Sequence, residues 1–196
     1  MSSAPALCGL ILAGGASSRM QRDKAALRYR GQSQLDRAAD LAKRHVAEVF
    51  VSVRADQTAD AARAQRPLII DSIPGQGPIV GIRSALAAKP ETAWLVIACD
   101  LPFLSDAALV QLLRERDSDG LATAFRSTSD GLPEPLCTIW EPAAGPALAA
   151  YQEAGGRCPR KFLIREAARL LEPEDPRALD NVNTPDEYAK ALAAIE

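Results

Sequence analysis

Histidine is almost missing from this 196-residue sequence: His45 is the only one. A Ser-His-Asp triad and any multi-histidine metal site are therefore excluded. Near the end of an expected helix, His45 reads as a surface residue favoured by the helix dipole. The four cysteines, Cys8, Cys99, Cys137 and Cys158, form no C-x-x-C pair, which removes the usual zinc and thioredoxin-like chemistries. Cys8 and Cys99 lie inside apolar runs and read as buried thiols. No block of Lys or Arg occurs and the formal net charge is −2, so a nucleic-acid or anionic-membrane surface has no support. The N-terminal apolar run is too short to span a bilayer and has no basic segment ahead of it, so a cytoplasmic location is expected. Two phosphate signatures also fail. Met20 falls where a P-loop counted from Gly15 needs its second glycine. The dinucleotide fingerprint fails because Gly14 and Gly15 are adjacent and Ser17-Ser18 follow.

What is present is a globular composition, 47% hydrophobic and 24% charged, at a length that suits one α/β domain. The central stretch is Leu7–Lys24. A short apolar run, Leu7 to Ala13, reads as a buried strand. Gly14-Gly15 then allow a sharp turn with backbone N–H groups close to a ligand. Arg19 and Lys24 follow as two cations, and the whole suits a polyphosphate.

Along the chain, Ser33 caps an expected helix with apolar spacing from Leu35 to Val46, and Glu48–Val53 reads as a strand, completing a βαβ unit. Asp56–Gln65 is alanine-rich and helical in propensity. Pro67–Ile70 reads as a strand that delivers Asp71 at its C-terminal end. A carboxylate there can accept two hydrogen bonds from guanine N1–H and its exocyclic amine; ribose contact and a simple turn cap are the alternatives. Pro74–Gly81 is a second glycine-rich loop, in which Gly77-Pro78 fixes a turn ahead of a helix over 79–88, and small residues let a planar base approach. Ala93–Cys99 is the clearest central strand. It ends in Asp100, a suitable magnesium ligand, since Mg²⁺ takes one or two carboxylates with waters and phosphate oxygens. Ser105 then caps a helix. Leu121–Phe125 and Leu136–Trp140 read as strands, and 142–154 and 160–168 as helices. Arg157, Arg160 and Lys161 either grip an anionic acceptor or are solvated surface charge. Thr184, Pro185 and Glu187 form a capping box with proline at the first helical position, which leaves Asn181 and Asn183 without a local explanation.

Leu12-Ala13-Gly14-Gly15, Arg19-Met20 and Asp23-Lys24 resemble the L-A-G-G-x-x-x-R-M-x-x-x-K signature of nucleotidyltransferases. The doubled glycine resembles that of molybdenum cofactor guanylyltransferases (the MobA family). Asp71-Ser72, Gly77-Pro78-Ile79-Val80-Gly81, Cys99-Asp100-Leu101-Pro102 and Asn181-Val182-Asn183-Thr184-Pro185 resemble further elements of that family in order. Gln21 stands where the family usually has glycine, Ser52 where it commonly has asparagine, and Glu134-Pro135-Leu136 at its H-P or Q-P-L element facing the acceptor.

The resemblance implies a three-layer α/β fold, a mostly parallel twisted sheet with helices on both faces. It implies one nucleotidyltransferase domain, with a nucleotide-binding half over 1–117 and an acceptor-binding half over 118–196. It further implies transfer of GMP from GTP to molybdopterin with release of pyrophosphate. Catalysis would rest on Arg19, Lys24 and Asp100, nucleotide binding on Leu12, Ala13, Gly14, Gly15, Lys24, Asp71, Gly77, Pro78 and Asp100. Asn181 and Asn183 would face the acceptor, Asp100 would hold Mg²⁺, and partner proteins would deliver molybdopterin or receive the product. A cytidylyl- or sugar-nucleotidyltransferase of the same fold, or a non-catalytic nucleotide-binding module, are the alternative readings.

Overall fold

The computed structural model describes residues 4–15, 20, 22–73 and 77–195. Its first strand, β1 (Leu7–Leu12), is followed by a small hairpin of β2 (Arg28–Tyr29) and β3 (Gln32–Ser33). Helix α1 (Gln34–Lys43) then starts at Ser33, whose hydroxyl accepts from Asp36 N–H. β4 (Val49–Val53) and β5 (Leu68–Ile70) precede α2 (Pro78–Ala88), and β6 (Ala93–Ala98) leads to α3 (Asp106–Arg114), capped by Ser105. The remainder is β7 (Ala122–Arg126), β8 (Pro133–Trp140), α4 (Ala144–Glu153), α5 (Pro159–Arg165), β9 (Arg169–Leu171) and α6 (Pro185–Ile195).

Seven strands form one sheet in the order β5-β4-β1-β6-β8-β7-β9. All run parallel except β8, which is antiparallel to both of its neighbours, so the expected mostly parallel sheet is present. Alternating side chains go to opposite faces of each strand. Ile11, Val51, Leu95 and Ile97 pack on α1 and α3, while Leu10, Trp94, Val96 and Trp140 pack on α2, α4 and α5. These are the three layers. β6, at the centre, is buried at every position. A third cluster seats α6 on the hairpin through Tyr29, Leu27, Val182 and Ala191.

Three local expectations fail for identifiable reasons. Asp56–Gln65 is not an α-helix: a 3₁₀ turn at Ala55–Gln57 gives way to successive turns. There the Asp60 carboxylate accepts from Arg63 N–H, a side-chain alternative to the helical ladder. The helix expected over 160–168 ends three residues early, and the strand β9 follows it. α5 stops at Arg165 because Ala167 takes a left-handed φ of 49° and Ala168 N–H bonds back to Leu163 O. No glycine announces that stop. Likewise α1 ends at Lys43 rather than reaching Val46, and the hairpin around Gly31 was read only as a polar hinge.

Among the described residues, no helix is long and apolar enough to cross a membrane. Cys8, Cys99 and Cys137 are buried free thiols, as their apolar neighbours suggest for the first two. His45 is less exposed than expected, because its ring nitrogen Nε2 pairs with Asp106 Oδ1 at 3.1 Å.

Candidate active site

β1 is flanked by β4 on one side and β6 on the other, while the chain reaches β6 only after building β4 and β5 outward. The crevice beyond the carboxyl ends of β1 and β6 is therefore a topological switch point, where open α/β sheets bind ligands. Register puts Leu12 level with Ser52 and with Ala98. Gly14, Ser52, Asp71 and Asp100 thus follow or close four adjacent parallel strands along one edge. Three strand steps of ~4.8 Å separate the Asp71 end from the Asp100 end, on the order of 14 Å.

At the Asp71 end the groups are tightly set. Ser52 is buried and its hydroxyl donates to Asp71 Oδ1 at 2.9 Å. A Cβ placed on Gly14 would come within 3.4 Å of Asp71 Oδ2, so the glycine turn lies against the carboxylate. Burial pushes the Asp71 carboxyl above the usual aspartate range, and the Ser52 hydrogen bond and Arg54 charge act the other way. Gly81 closes the second glycine-rich stretch and falls within the helix expected over 79–88. It lies inside α2, and a Cβ there would collide with the Ser52 hydroxyl. Gly77 does meet the loop expectation: its φ of 72° with ψ of −162° is a glycine-only conformation, and a Cβ there would meet nothing within 4 Å among the described residues. Pro78 follows as the first residue of α2.

At the other end, Asp23 caps a 3₁₀ turn that begins with Lys24, accepting from Ala25 N–H at 3.0 Å. Lys24 Nζ donates to Asp100 Oδ2 at 3.1 Å and to Asn183 Oδ1 at 2.6 Å. Val182 N–H donates to the Asp100 carbonyl at 2.8 Å, which lays the 181–183 segment beside Asp100. The capping box is formed, with Glu187 accepting from Asn183 and Thr184 N–H and Thr184 Oγ1 accepting from Glu187 N–H. It fixes the Asn183 backbone and leaves the amide side chain for Lys24. Lys24, Asp100 and Asn183, from three distant parts of the chain, are therefore one cluster. Asn181 is exposed, and its side chain makes no hydrogen bond among the described residues. Arg19, Gln21 and residues 74–76 lie outside the described residues.

Asp100 offers one carboxylate oxygen to a cation. Its Oδ2 is taken by Lys24, whereas Oδ1 is buried with no hydrogen-bond partner among the described residues. An unpaired buried carboxylate oxygen is costly unless a cation or water meets it. The described residues contain no cluster of three or more His, Cys, Asp or Glu that could hold a metal alone. The arrangement suits an ion that takes one protein carboxylate and completes its shell with phosphate oxygens and water.

Glu134, in the element that the resemblance implies faces the acceptor, comes close enough to this cluster for the Asp100 charge to act on it. Pairing of Ile97 with Cys137 carries the start of antiparallel β8 alongside Cys99 and Asp100, and the β7–β8 register slips between Ala124 and Phe125. Such irregularities re-aim side chains near sites. Burial chiefly raises the Glu134 carboxyl above its usual range, with the Asp100 charge adding to it, and Arg160 at 3.1 Å opposes both. Arg160 also pairs with Asp130 at 2.8 Å, so it is not the loose surface cation that the sequence allowed.

Comparison with known proteins agrees with this geometry. A family model described as MobA-like NTP transferase domain matches residues 9–170. A molybdenum cofactor biosynthesis bifunctional protein of Synechocystis sp. is 33% identical over 94% of this chain, which spans only 53% of that protein's length. A molybdenum cofactor guanylyltransferase of Pseudomonas syringae is also 33% identical, over 90% of this chain and 88% of its own. Among solved structures, molybdopterin-guanine dinucleotide biosynthesis protein A from Archaeoglobus fulgidus superposes with a TM-score of 0.77 at 24% identity, covering 95% and 97% of the two chains. A 4-diphosphocytidyl-2C-methyl-D-erythritol synthase from Anaerococcus prevotii shares the fold at a TM-score of 0.74 and 13% identity, covering 97% of each chain. With its ordered motifs converging at one switch point, the chain belongs to the MobA-like NTP transferase domain family.

Proposed function

We propose that this chain transfers GMP from GTP to molybdopterin, releasing pyrophosphate and forming the guanine dinucleotide of the cofactor. The observation that carries the reading is the Lys24–Asp100–Asn183 cluster, in which a nucleotide-loop lysine donates both to a strand-end carboxylate and to an acceptor-segment asparagine. The relatives named as guanylyltransferases supply the substrates of the proposal. We read 1–117 as the nucleotide-binding half and 118–196 as the acceptor-binding half of one domain.

The nucleophile is a terminal phosphate oxygen of molybdopterin, already ionised at neutral pH, so the reaction needs no general base. That suits a site whose only histidine is engaged elsewhere. The oxygen attacks the α-phosphorus of GTP, the bond to the β-phosphate oxygen breaks, and pyrophosphate carries the charge away. Lys24, and Arg19 by its place in the signature, neutralise that charge; positioning and charge stabilisation dominate such transfers. Asp100 would hold Mg²⁺, which would supply positive charge against the repulsion among the phosphate oxygens. Asp71, steadied by Ser52, reads the guanine edge, and Asn183 lies on the acceptor side.

The test is a thermal-shift panel of GTP, CTP, ATP and UTP with Mg²⁺, followed by pyrophosphate release with and without molybdopterin. A ligand at 100-fold over its Kd adds ~2.7 kcal/mol. For a chain of this length that is a rise of roughly 5–10 °C. GTP alone should give it, and pyrophosphate should appear only with molybdopterin present. An equal shift with CTP would move the chain to the cytidylyltransferase reading, and release without molybdopterin would refute the acceptor.

A further inference from the structure

Arg63 comes from the turn-rich segment that the sequence suggested was helical, and it is nearly inaccessible, with only 4% of its side chain exposed. Its guanidinium is spread over both ends of the glycine loop. Nε and an Nη donate to the Ala13 carbonyl at 3.2 and 3.0 Å, where β1 passes into Gly14-Gly15. The same Nη donates to Asp23 Oδ2 at 2.6 Å, where the chain re-emerges just before Lys24. Asp60 holds the guanidinium from behind at 3.2 Å. With carboxylates on two sides, Arg63 does not act as a spare cation for phosphate. Its planar fork instead fixes directions.

The peptide between Ala13 and Gly14 is planar and trans, so its N–H points opposite to its C=O. Holding the Ala13 carbonyl toward Arg63 therefore turns Gly14 N–H the other way. Arg54, at the end of β4, does the same for the next peptide by donating to the Gly14 carbonyl. Neither Gly14 N–H nor Gly15 N–H has a hydrogen-bond acceptor among the described residues, and a Cβ on Gly15 would meet nothing within 4 Å. Asp23, the second anchor, is also the cap of the turn that begins with Lys24.

We propose that Arg63 is a positioning residue for nucleotidyl transfer: its fork ties Ala13 to Asp23, aims the Gly14 amide outward and fixes the starting point of Lys24. It rests on the reading that this loop receives the triphosphate of GTP. Arg54 completes the arrangement at the next carbonyl.

The variant Arg63→Lys keeps the charge but loses the planar fork whose three nitrogens reach Ala13, Asp23 and Asp60 in fixed directions, so the two ends of the loop are no longer held in one geometry. Turnover in pyrophosphate release should fall about tenfold or more, because small misplacements at a reacting centre are costly. The KM for GTP should rise, and the KM for molybdopterin should stay within about twofold. Amide hydrogen exchange of the unliganded protein should quicken over 13–27 and stay unchanged in β6 and α3. Turnover and GTP KM within about twofold of the parent would overturn the proposal. So would exchange that quickens equally everywhere, the mark of a merely structural arginine. Should Arg63→Lys not fold, Asp23→Asn keeps the capping oxygen and loses the ion pair, and the same pattern at smaller size is required of it. If the parent protein releases no pyrophosphate from GTP, the GTP reading fails by itself. Exchange over 13–27 in Arg63→Lys then decides alone whether Arg63 sets the loop.

Discussion

The parallel strands β1 and β6 end in groups left open, whereas the β8–β7 side of the same edge ends in charges that already have partners. On the first side, Gly14 and Gly15 amides and Asp100 Oδ1 have no partner among the described residues. On the second, Glu134 is paired with Arg160, Arg160 with Asp130, and Arg126 with Glu172. Strand direction contributes to the contrast. β8 runs opposite to its neighbours, so it brings its first residues, not its last, to the site edge. One side is thus left open to a ligand, while any anion approaching Arg160 must compete with the carboxylates that hold it. Lys24 is the hinge of the comparison, since it touches both Asp100 and Asn183.

Removing the shared carboxylate should have the largest effect. Asp100→Ala deletes a buried carboxylate oxygen that has no partner among the described residues, together with the Lys24 anchor. Metal-dependent pyrophosphate release should fall by about 10³-fold or more, corresponding to several kcal/mol of lost charge stabilisation. Activity retained at rising Mg²⁺ concentration would assign the cation to other groups. Lys24→Ala should come next, at about 10²-fold in turnover with a smaller change in GTP binding, because its charge acts most on the departing pyrophosphate. If GTP binding is lost and turnover is spared, Lys24 belongs to ground-state binding and the hinge between the halves is misassigned.

The same contrast explains what could be read from the chain beforehand. β1, β6 and the Ser33 and Ser105 caps were legible because their causes are local: an apolar run, or a hydroxyl bonding three residues on. Gly14-Gly15, Asp71 and Asp100 were legible because each directly follows such a strand. The paired side was not. Glu134 approaches Asp100 only through an antiparallel register and a slip between β7 and β8. Arg63 reaches Ala13 across 50 positions of sequence, from a segment whose alanine content argues for a helix that side-chain bonding replaces. Asn183 could be seen as unexplained by its capping box, but nothing local joins it to Lys24. Asn181 shared its motif and is exposed.

The finest test on the parallel-strand side is Asp71→Asn, where function and stability should move in opposite directions. Burial raises the Asp71 carboxyl above its unfolded value, despite Ser52 and Arg54. A raised carboxyl binds its proton more tightly in the folded state, so the stability it contributes is complete below the unfolded value, about 3.9. That contribution is lost as pH rises through the folded value, and at pH 7 the ionised group is a net cost to folding. Asparagine keeps an oxygen to accept from Ser52 and never ionises. The variant should therefore melt higher than the parent at pH 7, and the gap should close as pH falls toward 4. Its preference for GTP over the other nucleotides should fall by about tenfold or more, since a site built to accept two hydrogen bonds loses its means of rejection. A higher melting temperature with selectivity unchanged would leave Asp71 buried for the ribose or for the turn alone. Base reading would then have to come from elsewhere on the loop at Gly77.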